Sequence, residues 1–173
     1  MSREDDSIVP GERIGPFRLG STEQEVLTHV AGGSVHREQR GAMQVLHAGS
    51  LSFWFDSGVL TQVGAHSSYG GTTARGIGVG STVGELSNVG QVGLDLDDGV
   101  LVLEEVEGIC FDVEQGLPEM SHLLAASWSR DLPLPGFDLD ADWTISWIGV
   151  FDPDRLAELE EAEDAEDADQ AEG

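Results

Sequence analysis

Two hydrophobic periods alternate along the chain. In "RLGSTEQEVLTHVAG", from Arg18, the apolar residues Val26, Leu27 and Val30 fall at helical spacing behind Thr22 and Glu25. A Thr followed three residues later by a Glu is a capping box, in which each side chain satisfies a backbone N–H of the other residue. A short helix is therefore predicted there, stopped by Gly32–Gly33. Further on, "GVGSTVGELSNVGQV" writes the same start again: Thr82 and Glu85 form the box, Leu86 and Val89 the stripe, and Gly90 the stop.

From Leu51 the period falls to two. "SLSFWFDSGVLTQVGAH" alternates in polarity and breaks at Asp56-Ser57-Gly58, which predicts a strand, a tight turn and a second strand. Leu51, Phe53 and Phe55 take one face of the first strand, and Trp54 takes the other with Ser52 and Asp56. "GICFDVEQG" repeats the aromatic-Asp-turn order, aligning Phe111-Asp112 with Phe55-Asp56 and Gly116 with Gly58, while "ISWIGVF" (Ile145 to Phe151) echoes "LTQVGAH". "LDLDDGVLVLEEV" reads as another hairpin around Asp97-Asp98-Gly99, and the Pro and Gly residues of "IVPGERIGPFRLG" make it an extended lead-in. The expected fold is α+β: two tandem repeats of a short helix followed by an antiparallel sheet, over residues 14–70 and 71–151. The second carries an insertion at 117–142, and residues 152–173 form an acidic tail expected to be disordered. Whether the repeats pair edge to edge or pack face to face is open at this level.

Charge changes the picture more than composition does. At 173 residues with 39% hydrophobic content the chain can bury a core, but 33 acids against eight basic residues give −25, and all eight are Arg. The segment 152–173 holds eleven acids and one Arg, or −10, which leaves −15 on the rest. Such a field opposes nucleic acid and anionic membranes and speeds encounter with basic partners. Salt adaptation of the whole host proteome is the competing explanation. One Cys, Cys110, cannot make an intrachain disulfide, "MSREDDSIVPG" is acidic without an apolar run, and no stretch approaches the ~20 apolar residues of a membrane span. A cytoplasmic protein is expected.

Candidate chemistry is sparse. His29, His36, His47, His66 and His122 show no i, i+4 metal-pair spacing, and Cys110, between Ile109 and Phe111, has no base or helix start beside it to activate the thiol. Asp138, Asp140 and Asp142 alternate like the start of a calcium loop, but Gly149 stands where the bidentate Glu is needed. "ARGIGVGSTVGE" lacks the Gly-Lys ending of a phosphate loop. No catalytic residue, metal ligand or cofactor is assigned. The Trp residues carry more: Trp143, Ile145 and Trp147 are expected to share one strand face, with Ile148, aligned to Val63, opposite. If Val63 and Ile148 lie under the helices, Trp147 sits on the outer face. Trp54, Trp143 and Trp147 are the expected partner anchors, and Asp95, Asp97, Asp98, Asp138, Asp140 and Asp142 the steering acids. The alternative is that these Trp residues fill the interface between the repeats.

The doubled Gly20-Ser21-Thr22 with Glu25-Val26, and Gly80-Ser81-Thr82 with Glu85-Leu86, resembles the tandem repeat of the secreted β-lactamase inhibitor proteins and the single repeat of small outer-membrane assembly lipoproteins. The same body plan is similar to cytosolic toxin-immunity proteins. The resemblance implies a two-unit α+β body offering a broad sheet face to another protein, without the disulfides or lipid-attachment Cys of the first two families. The expected function is a non-enzymatic immunity or inhibitor protein that neutralises a basic toxin or enzyme. A small enzyme with a carboxylate or Cys site and an acidic adaptor of a salt-adapted cell are the alternatives.

Overall fold

The computed structural model describes residues 6–30, 32–95, 99–115 and 139–154. Three two-residue strands, β1 (Ile8–Val9), β2 (Arg13–Ile14) and β3 (Phe17–Arg18), turn the lead-in into a small antiparallel sheet. Helix α1 (Glu23–His29) is followed by β4 (Val35–Arg40), β5 (Met43–Ala48), β6 (Leu51–Asp56) and β7 (Val59–His66); α2 (Val83–Val89) by β8 (Val92–Asp95), β9 (Val100–Leu103), β10 (Val106–Val113) and β11 (Ile145–Phe151). The architecture is α+β and mostly antiparallel. The eight later strands form one continuous sheet in the order β4-β5-β6-β7-β11-β10-β9-β8, so the two meanders join edge to edge through β7 and β11.

Both helices begin as the capping boxes require. Thr22 N–H donates to Glu25 Oε2 at 2.7 Å and Thr82 N–H to Glu85 Oε2 at 2.8 Å, while each Thr hydroxyl oxygen accepts from its Glu N–H. The residues before each cap are tied to the last strand of their meander. Gly20 N–H donates to Leu60 O and Leu60 N–H to Ser21 O; Gly80 N–H donates to Ile145 O and Ile145 N–H to Ser81 O. The β6–β7 turn uses Ser57 and Gly58, both at positive φ (51° and 81°), the conformation whose twist suits a two-residue hairpin.

One core lies between the sheet and the elements packed on a single face of it. Ile8, Ile14 and Phe17 of the small sheet, with Val26 of α1 and Val83 and Leu86 of α2, bury against Phe53, Val63, Phe111 and Ile148 of the large one. Asp56 and Asp112 do not occupy matching positions. Phe111 stands opposite Ile148 as Phe53 stands opposite Val63, so the register moves the alignment of the second meander two residues from the expected Phe55-Asp56 match. Each meander also carries an extra residue. Thr61 falls between the pairs Trp54↔Gln62 and Phe55↔Leu60, and Ser146 between Asp112↔Trp147 and Val113↔Ile145. A bulge reverses the facing of the residues beyond it. Ile145 consequently points into the core while Trp147 points away from it, and the expectation that Trp143, Ile145 and Trp147 share a face is corrected. Trp143 precedes β11 and packs against the core. The β4–β5 hairpin was not anticipated. Most of the proposed insertion, and all but the first three residues of the acidic tail, lie outside the described residues.

Candidate functional site

Among the described residues, no helix or strand is stacked on the opposite face of the large sheet, and its most prominent feature is an aromatic pair. Trp54 of β6 and Trp147 of β11 meet edge to face, ring centroids 6.2 Å apart at 83°, across the intervening β7. The backbone beneath Trp147 makes that placement possible. Gly64 and Gly149 pair directly at the join of the two meanders, and a Cβ on either would collide with the indole, at Nε1 and Cε2 above Gly64 and at Cη2 and Cζ3 above Gly149. The indole thus lies across two strands, which only residues without a side chain permit. Val45, opposite Trp54, is 0% exposed, and Cys110, opposite Gly149, is 6% exposed, so this face holds a thin apolar layer of its own. Both Trp residues remain partly exposed.

Beside the indoles runs a polar chain that crosses four strands. His47 of β5 pairs with Ser52 of β6, and Ser52 with Gly64 of β7, two residues before His66, so the register sets the side chains of His47, Ser52 and His66 on this face. His47 Nδ1 is 2.8 Å from Ser52 Oγ, which is 3.3 Å from His66 Nε2, and His47 Nε2 is 3.4 Å from Glu38 Oε2. Arg40 closes the end, donating from Nε and Nη2 to the two oxygens of Glu38 at 2.9 and 3.2 Å. His36 stacks on His47 with centroids 6.1 Å apart. The Arg40 hydrogen bond holds the Glu38 carboxyl below its ordinary value, burial opposes it, and the hydrogen bond to His47 adds to the lowering. Burial, and then the charge of His47, lower the pKa of His66. Sequence spacing hid this group because its members meet across strands. Aligning "VHREQRGAMQVLHAGSLSFW" as a three-stranded meander is the signal that would have placed His47 opposite Ser52.

The chain of groups can relay a proton and fix an imidazole, but it is poorly built for nucleophilic attack. Ser52 is 4% exposed and sits in a strand paired on both sides, with its neighbours' N–H groups engaged in the ladder rather than aimed at a reacting oxygen. Among the described residues no three His, Cys, Asp or Glu side chains stand together as metal ligands, and no helix is long and apolar enough to cross a membrane.

The steering acids are placed unevenly. Asp95 lies on β8, the edge strand, three strands from β11 or about 14 Å away. Asp140 and Asp142 form a turn before β11, where Asp140 Oδ1 accepts from Asp142 N–H at 2.9 Å. Asp97, Asp98 and Asp138 lie outside the described residues. Two carboxylates of this face were not singled out from the sequence: Asp112 pairs with Trp147, and Glu38, which ends the polar chain, is separated from Trp54 by Val45. The structure therefore brings together Trp54 and Trp147, and leaves Trp143, Asp140 and Asp142 near the start of α2, where Trp143 O accepts from Val83 N–H. No protein-family model matches the chain, and neither a curated protein nor a solved structure does.

Proposed function

We propose that the chain is a duplicated α+β module, each half a capped helix and a four-stranded meander, that binds and neutralises a basic protein in the manner of an immunity or inhibitor protein. The observation that carries this reading is the Trp54–Trp147 pair, held partly exposed by the Gly64–Gly149 crossing on the sheet face opposite the two helices. Paired glycines under an indole hold it in a fixed pose before any partner arrives, which lowers the ordering cost of binding. A partly exposed aromatic pair with Asp112 beside Trp147 and Glu38 farther out on β4 has the make-up of an interface centre with a charged rim. The charge of −25 names the class of partner, since an acidic protein accelerates encounter with a basic one and repels acidic competitors. Neutralisation follows if that face covers the partner's active surface, and the reaction belongs to the partner. A cytoplasmic site of action fits the same reading.

Affinity capture tests it. The tagged chain is expected to retain one stoichiometric basic protein from its host at low salt, to release it as salt rises, and to inhibit that protein's activity when mixed with it. Trp147→Ala is expected to weaken capture by about tenfold or more, as truncation of a central aromatic anchor does. Capture that is insensitive to both salt and Trp147→Ala defeats the proposal. A second reading, a small hydrolase, is favoured by the Glu38–His47–Ser52–His66 chain and requires covalent labelling of Ser52 by a serine-directed phosphonate; the burial of Ser52 argues against it.

A further inference from the structure

Phe17 stands three residues before Gly20, and Ile77 three residues before Gly80, at the same distance from each capped helix. Under α1 the Phe17 ring fills the space between sheet and helix end, 4.7 Å from the Phe53 ring and 6.0 Å from the His29 ring. Under α2 the partners in the same relation are Phe111 and Val89, and Ile77 is too small to do the same. Beside it lies a partly open cavity of about 180 Å³ whose lining includes Ile77, Val89, Leu103, Ile109, Phe111 and Arg75. An engineered apolar cavity of about 150 Å³ takes up benzene, so this one has room for a single six-membered ring.

Arg75 gives the ring a charged end. Of the guanidinium groups among the described residues, Arg13, Arg18, Arg37 and Arg40 each pair with a carboxylate; Arg75 does not, in a protein carrying 33 acids. One of its N–H groups donates to Val89 O at the end of α2, which holds the side chain against the cavity while the fork keeps further donors. We propose that this cavity is a binding site for a small aromatic carboxylate, its ring taking the place that Phe17 occupies in the other half and its carboxylate pairing with Arg75. The site is on the core side of the sheet, away from the Trp54–Trp147 face, so it stands or falls independently of the partner reading.

Titration of the full chain with 3-phenylpropionate, followed by methyl and aromatic NMR, tests the site without any substitution. The expected result is saturable shifts below about 5 mM centred on the lining residues, among them Ile77, Val89, Val106, Ile109 and Phe111, with affinity in the range such a ligand's size allows. Ile77→Phe, which supplies the missing ring, is expected to abolish binding and raise the melting temperature. Arg75→Gln is expected to weaken the acid about five- to tenfold and to leave 3-phenylpropanol, the neutral alcohol, unaffected. Absence of saturable shifts in the wild-type chain overturns the proposal, and so does equal affinity for acid and alcohol, which would show that Arg75 plays no part. Should Ile77→Phe fail to fold, the wild-type shift map and the Arg75→Gln comparison still decide the matter.

Discussion

At the scale of single residues, Gly64 and Gly149 are the positions on which the placement of Trp147 depends. A methyl group at Gly64 would meet the indole of Trp147, so Gly64→Ala is expected to cost about 1–3 kcal/mol, the usual range for overpacking, and to shift the Trp fluorescence maximum as the ring lifts into water. Removing the ring removes the clash. The double variant Gly64→Ala/Trp147→Ala should therefore melt close to Trp147→Ala alone, a non-additivity that thermal denaturation of the four proteins measures directly. His66 adds a pH dependence with a definite sign. Its folded pKa lies below the ordinary 6.5, so in a window beneath that value the unfolded chain binds a proton that the folded chain refuses. The His66 contribution to stability is full above pH 6.5 and is lost as pH falls through the window, and His66→Gln should flatten that decline in melting curves recorded between about pH 7 and pH 5. The facing of Trp54 was legible in the sequence, because it follows from strand alternation alone. The Glu38–His47–Ser52–His66 chain was not, because strand register, rather than spacing along the chain, assembles it.

The elements divide in the same way between local and long-range causes. Both helix starts could be read from four residues each, since a capping box is a contact between neighbours. Thr22→Ala and Thr82→Ala are each expected to cost about 1 kcal/mol, additively, because the two caps serve separate seven-residue helices; chemical denaturation of the single and double variants measures this. The β6–β7 hairpin was likewise written in its turn residues. The β4–β5 hairpin escaped notice because Val35–Arg40 is an edge strand with charged or polar side chains at five of its six positions, a composition that protects an edge from unwanted pairing and erases the apolar alternation. The facing of Trp147 relative to Ile145 was misjudged for a related reason. The period of two holds only within an uninterrupted strand, and the extra residue at Ser146 is visible only once β11 is paired with β10.

For the whole molecule, the decisive contact is β7 with β11, two strands whose pairing joins residues 62–66 to residues 147–151. It turns two meanders into one eight-stranded sheet, puts both helices and the small sheet on one side, and leaves the other to the aromatic pair. Pairing at such separation has no local signature, which is why the sequence left edge-to-edge and face-to-face assembly equally open. Under these proposals the two sides carry different tasks: the helical side the core and the proposed aryl-carboxylate site, the opposite side the proposed protein contact. Charge acts at this scale as well. Screening shortens the reach of the −25 field, to about 8 Å at physiological ionic strength, so the association rate with the basic partner is expected to fall steeply with added salt in stopped-flow measurements while dissociation changes little. The central claim is that Trp54 and Trp147 form the contact. Hydroxyl-radical footprinting of the chain, alone and in complex with its captured basic partner, tests that most directly. Oxidation of Trp54 and Trp147 is predicted to drop severalfold on binding while that of Trp143 stays unchanged; continued reactivity of the outer pair in the complex, or protection of Trp143 instead, would contradict it.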